Sequence, residues 1–163
     1  MRRLGRSRVT AEDARNPDRV RAAAIAHLAR RDFASGELSQ KLTRQGYTAA
    51  LVTQTIEELI EESVLNDARY AEHYVSYHAS RGEGPLRIEA ELKQFGLPDT
   101  LIQQALDTGP DWKARAQEVR IRRFGPEVPE TWPQKAKQGR FLQYRGFSSD
   151  HIRAALGPDF DID

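Results

Sequence analysis

Apolar positions recur along this chain at helical spacing, and the strict alternation that marks a strand is almost absent. The run DRVRAAAIAHLARRD, 18–32, sets Val20, Ala24 and Leu28 on one face and predicts a first helix. Ser35 is a candidate cap for a second, carrying Leu38 and Leu42. TAALVTQTIEELIEES then gives a broad stripe of Leu51, Val52, Ile56, Leu59 and Ile60. Asn66 and Asp67 signal a new start before RYAEHYVSYHAS, whose Tyr70, Tyr74, Val75 and His78 share one side. Pro85 suits the first turn of PLRIEAELKQF, and LPDTLIQQAL follows. DWKARAQEVRIRRF, WPQKAKQGRFLQYR and SSDHIRAAL complete a third set. The expected fold is all-α, with about nine helices in three units of three.

One word repeats at a fixed interval. LTRQGY (42–47), LKQFGL (92–97) and LQYRGF (142–147) place glycines at Gly46, Gly96 and Gly146. A glycine just past a helix end is free to turn left-handed, and the apolar residues on either side then meet in a Schellman cap. The pairs are Leu42 with Tyr47, Leu92 with Leu97, and Leu142 with Phe147. Tyr47 and Phe147 also stand just before Thr48 and Ser148, where they can staple to Val52 and Ile152 in the next helix; Leu97 with Ile102 fits less cleanly at Pro98. The word is thus a structural corner. A fixed period of helical units predicts an elongated, curved array sharing a continuous core.

Charge changes this picture more than composition does. Net charge is +1, but residues 1–31 hold nine Lys/Arg against three Asp/Glu, residues 32–110 six against thirteen, and residues 111–163 ten against eight. The absence of cysteine removes disulfides, thiolate metal sites and thiol nucleophiles. No apolar run approaches the roughly 18 residues of a membrane span, and MRRLGRSRVTAEDARNPDRV lacks the core of a secretory signal, so a cytoplasmic protein is expected.

Catalytic chemistry finds little support. His73 and His78 are five apart, on different sides of a helix, and no HExxH occurs. RGEGPLR (81–87) reads as a turn entering a helix, not as a phosphate loop. The carboxylates of EELIEES read as a solvated face, and Trp112 and Trp132, beside helix starts, as packing residues. Neither metal nor cofactor is expected, and no enzymatic activity; a helical enzyme using Glu72 and His73 is the weakest alternative.

Arginine and lysine remain. Arg30 and Arg31 close the first helix, Lys41 and Arg44 flank the first corner, and Arg81, Arg87 and Lys93 belong to the second unit. Lys113, Arg115, Arg120, Arg122 and Arg123 put five cations into eleven residues, and Lys135, Lys137, Arg140 and Arg145 follow. Complementing helix dipoles accounts for about half of them. The rest suit contact with phosphates or with an acidic protein surface. Arg81, Arg87 and Lys93 with the 113–123 cluster are the expected main contact face. Helix-turn-helix reading of bases is disfavoured, because the helices after the corners begin TAALV, PDTLI and SSDHI, without base-reading arginines.

Three stretches carry a family resemblance: AIAHLARRDFASGELSQKLTRQGY, VLNDARYAEHYVSYHASRGEGPLRIEAELKQFGL and FLQYRGFSSDHIRAAL. Over residues 22–156 the chain resembles the RecX regulatory proteins, which modulate the bacterial recombinase RecA. The resemblance implies an all-helical array of three-helix repeats. It also implies a binding protein that engages RecA filaments on single-stranded DNA and mainly limits their growth, ATPase, strand-exchange and coprotease activities. The expected division is a flexible basic arm (1–16), repeats over 17–64, 65–108 and 109–157, and an acidic tail (158–163). A monomer with weak, salt-sensitive contact to single-stranded DNA is expected. The alternative is a nonspecific nucleic-acid-binding helical protein without a dedicated protein partner.

Overall fold

The structure, a computed structural model, describes residues 8–160. Among the described residues are nine α-helices, one short 3-10 helix (Asp13–Arg15) and no strand. The helices are α1 (Pro17–Leu28), α2 (Ser35–Gln45), α3 (Ala49–Glu61), α4 (Asp67–Ser80), α5 (Pro85–Gln94), α6 (Asp99–Asp107), α7 (Trp112–Phe124), α8 (Trp132–Arg145) and α9 (Ser149–Leu156). They form two compact units: one runs to Tyr70 and includes Phe95–Leu97, the other comprises Ala71–Gln94 and the chain from Pro98 on.

In the first unit, Val20 and Ala24 of α1, Leu38 and Leu42 of α2, and Val52, Ile56 and Leu59 of α3 form one core with Phe33 and Leu65. The first helix is shorter than its alanine-rich sequence predicts. It ends at Leu28 because Phe33 and Ala34, 4% and 0% exposed, draw the chain inward, and Ala34 is extended (φ −68°, ψ 148°). Ser35 is not the cap of α2. It is the first helical residue, and its N–H and hydroxyl donate to the carboxylate of Asp67, at 2.8 and 2.5 Å. The start of α2 is therefore satisfied by a side chain 32 residues away, which ties the second repeat's opening helix to the first repeat.

The first and third corners have the expected hydrogen bonds; the second shares the left-handed glycine, but α5 ends at Gln94, two residues before Gly96. Gly46 and Gly146 are left-handed at φ +108° and +98°, and Gly96 at +80°. Tyr47 N–H donates to Leu42 C=O and Gly46 N–H to Thr43 C=O; Phe147 to Leu142 and Gly146 to Gln143 repeat the pattern. Leu42, Leu92, Leu97, Leu142 and Phe147 are all buried.

In the second unit the third corner is seated on the start of α5. The N–H groups of Gly84 and Leu86 donate to the carbonyls of Arg145 and Gly146, at 2.8 and 2.9 Å. One helix end thus supplies acceptors for the orphan donors of another. The approach is so close that a Cβ on Gly84 would stand 2.3 Å from the Gly146 carbonyl carbon. The first unit has a looser parallel, where a Cβ on Gly36 would stand 2.9 Å from the Phe95 oxygen.

The described residues near both ends, 8–16 and 157–160, hold more structure than their composition suggests. Residues 1–7 of the expected arm lie outside the described residues, but Ala14 accepts from the N–H of Thr48 at 3.1 Å, and Val9 lies beside Gly46. Of the expected tail, residues 161–163 lie outside. Phe160 is 4% exposed and packs in the core with Leu142, Phe147, Ile152 and Leu156. This explains Gly139 inside α8: a Cβ there would come within 2.4 Å of the Phe160 ring.

Candidate functional site

The structure sorts the fourteen candidate cations by their surroundings. Arg120 is 3% exposed, turned inward beside Ala116, and its guanidinium donates to the carbonyls of Glu127 (3.0 Å) and Gly125 (3.4 Å). It anchors the chain leaving α7 and is not a contact residue, a correction to the expected cluster. A helix turns about 100° per residue, so Arg115 and Arg122, seven apart, share one side of α7, while Lys113 leaves on the opposite side and Arg123 about a quarter-turn away; the four do not make one patch.

Four candidates are held by carboxylates. Arg31 pairs with Glu37 at 2.6 Å and lies 3.7 Å over the Phe33 ring; the Glu37 hydrogen bond raises its pKa. The same setting keeps Tyr70 neutral, its pKa pushed up to about 12 by burial and then by Glu37. Lys93 pairs with Glu89 (2.8 Å) and Asp99 (3.8 Å), and Arg115 with Glu118 (2.9 Å). Such exposed pairs are screened by water and contribute little, so a partner can exchange them at small cost.

Arg87 belongs to a denser network. Its Nε lies 3.3 Å from Glu91 and 4.0 Å from Glu83, while His78 Nδ1 lies 2.8 Å from Glu83 and the Tyr74 hydroxyl donates to Glu91. The Tyr74 and His78 rings stack at 4.0 Å. His78, Glu83 and Glu91 offer ligand atoms within 4.8 Å of one another, but Arg87 already supplies the positive charge between the carboxylates. The arrangement joins α4 to α5. The RGEGPLR turn is likewise committed, since its Gly84 and Leu86 N–H groups are used on carbonyls and not aimed at a phosphate.

Arg30, Lys41, Arg44, Arg81, Lys113, Arg122, Arg123, Arg140 and Arg145 make no ion pair among the described residues. Several lean on rings instead. Lys41 lies 5.2 Å from the Phe33 centroid, and Arg81 donates to the Tyr77 hydroxyl at 3.0 Å. Arg123 and Arg145 both face Phe141, at 5.9 and 5.4 Å, and Phe141 meets Phe124 edge-on.

Sequence reasoning passed over Tyr144, which is 81% exposed on α8. It reads as part of the corner word, yet it follows Arg140 by four residues, out of phase with the buried Leu142. Of the two tryptophans, Trp112 is half-buried with its Nε1–H on the Leu106 carbonyl (3.2 Å), and Trp132 lies 5.5 Å from the Phe160 ring. Glu72 and His73 are both exposed on α4. No helix of the described residues is long and apolar enough to cross a membrane.

Comparison with known proteins agrees with this architecture. Family models for the first, second and third three-helix domains of RecX match residues 21–59, 66–106 and 111–156. Regulatory protein RecX of Halorhodospira halophila is 45% identical over 137 residues, covering 83% of this chain and 85% of that protein. Regulatory protein RecX of Pseudomonas syringae pv. tomato is 41% identical over 141 residues, covering 86% and 91%. Among solved structures, RecX from Lactobacillus salivarius superposes with a TM-score of 0.75 at 23% identity, over 90% of this chain and 96% of that one. With all three domains present in order, the chain belongs to the RecX family of regulatory proteins.

Proposed function

We propose that this chain is a regulator that docks on RecA filaments formed on single-stranded DNA and limits their growth, with their ATPase, strand-exchange and coprotease activities. The observation that carries the reading is the presence of all three RecX domains in order over residues 21–156. Several repeats joined in one chain suit a filament, because modest contacts to successive subunits act together through high effective concentration. The unpaired cations, Arg81, Lys113 and Arg122 among them, are the groups an acidic filament surface would meet first. In this reading the chain acts as a monomer in the cytoplasm, alongside its recombinase.

The test is a RecA ATPase assay on single-stranded DNA with the protein well below one copy per recombinase subunit. Inhibition is expected there, and reversing Arg81, Lys113 and Arg122 to glutamate is expected to abolish it while helicity and melting temperature stay nearly unchanged. Unchanged inhibition in the triple variant would show that those residues make no contact the inhibition needs. Inhibition only at DNA-coating concentrations would favour a nonspecific nucleic-acid-binding protein instead.

A further inference from the structure

The α8 helix, WPQKAKQGRFLQYR, carries four basic residues and no acidic one. Its inner side is set by Gln138, Gly139 and Leu142, all buried. Lys137, Arg140 and Tyr144, at helical spacings of three and four, are exposed and form one outward stripe. Beside that stripe lies Phe141, half-buried, with the guanidiniums of Arg123 and Arg145 each within 6 Å of its ring. Tyr144 itself stands 81% exposed, so most of its side chain is open to solvent.

We propose that this outward face of α8 is a stacking site for a single-stranded polynucleotide, with an unpaired base on Tyr144 and the flanking phosphates on Lys137, Arg140, Arg145 and Arg123. Each part has a physical reason. An aromatic ring standing free among cations offers every base a π face, and this kind of stacking is tolerant of sequence. The guanidiniums have no carboxylate to give up, so phosphate contact costs no ion pair, and Arg123 and Arg145 are steadied by Phe141. A duplex keeps its bases stacked on one another and presents only phosphates, so single strands are preferred. Neither stacking nor phosphate contact involves the sugar, so DNA and RNA bind alike. An acidic protein would meet the same charges but has no need of the exposed ring.

The inference stands apart from the recombinase reading, because the strand is bound bare and the assay holds no recombinase. Labelled oligo-dT and oligo-U of about 15 nucleotides, with a DNA duplex of equal length, are titrated with the full chain by fluorescence anisotropy at several salt concentrations. Both single strands are expected to bind within about threefold of each other and several-fold tighter than the duplex. Tyr144→Ala should weaken binding roughly tenfold and Tyr144→Phe within about twofold of the parent chain, since the ring supplies the stack. Arg140→Ala should lower the slope of log K against log salt by about 0.7, one phosphate contact on a single strand. An exposed position should leave circular dichroism and melting unchanged, and the phenylalanine variant guards against a folding defect. A silent Tyr144→Ala, a duplex bound as tightly as the single strands, or a tenfold preference for one sugar would each overturn the proposal. Displacement by polyglutamate together with a silent Tyr144→Ala would assign the face to an acidic protein.

Discussion

Gly46, Gly96 and Gly146 share a left-handed backbone but not the same surroundings. A Cβ at Gly96 (φ +80°) would have no neighbour within 4 Å, so alanine there bears only the conformational cost of about 1–2 kcal/mol. At Gly146 (φ +98°) the same Cβ would stand 2.5 Å from Arg87 Cβ and 2.8 Å from its backbone nitrogen. Overpacking of that kind adds about 1–3 kcal/mol, and it would push the Gly146 carbonyl off the Leu86 N–H. Gly146→Ala should therefore lose about 1–3 kcal/mol more than Gly96→Ala in urea denaturation of the two purified variants. Equal losses would mean that backbone conformation alone fixes these positions. Space decides Gly139 too. An α-helical glycine ordinarily costs about 1 kcal/mol against alanine, but here the Phe160 ring occupies the place a methyl group would take.

Three helix starts are satisfied in three different ways, and one of them uses a histidine. The α2 start uses Asp67, the α5 start uses the carbonyls of the third corner, and the α9 start uses a reciprocal pair within its own first turn. In that pair His151 N–H donates to the Ser148 hydroxyl, and His151 Nδ1 accepts from the Ser148 N–H at 3.2 Å. Acceptance requires neutral imidazole. Burial, the main cause, holds the His151 pKa below its ordinary 6.5; Lys113 lowers it further, and Asp150 and Asp111 oppose. A histidine depressed in the folded state contributes stability above about pH 6.5 and loses it as pH falls through the folded value, because the unfolded chain takes the proton first. His151→Gln keeps an acceptor that does not titrate, so its melting temperature should fall less than the parent's between pH 7.5 and 5.5. Parallel falls would show that this cap does not sense pH. Sequence periodicity was enough to place all nine helices, because each buries a stripe at regular spacing. The end of α1 and the cap of α2 were not legible there, since Phe33 and Asp67 act from outside the local pattern.

At the scale of the whole molecule, the repeat count and the number of compact units differ: three three-helix domains fall into two compact units. The corner words made the repeats legible, but nothing local shows that the third corner seats on Gly84, some sixty residues earlier. The candidate surface was legible as a supply of cations and not as a shape. Linear density marked Lys113 to Arg123, whereas folding buries Arg120 and gathers Arg123 and Arg145 around Phe141. The Gly84 joint can be tested directly. Gly84 has an ordinary backbone conformation, so Gly84→Ala adds no strain of its own and acts only through contact, with its Cβ 2.3 to 2.5 Å from Gly146 and the Phe147 nitrogen. It should pry α5 and the third corner apart and weaken both sides, because each supplies the other's hydrogen-bond partners. Native-state hydrogen exchange is expected to quicken by about tenfold or more both at Leu86 and Ile88 and at Gly146 and Phe147. Quickening confined to α5 would show that the second and third domains open independently and that the joint does not couple them.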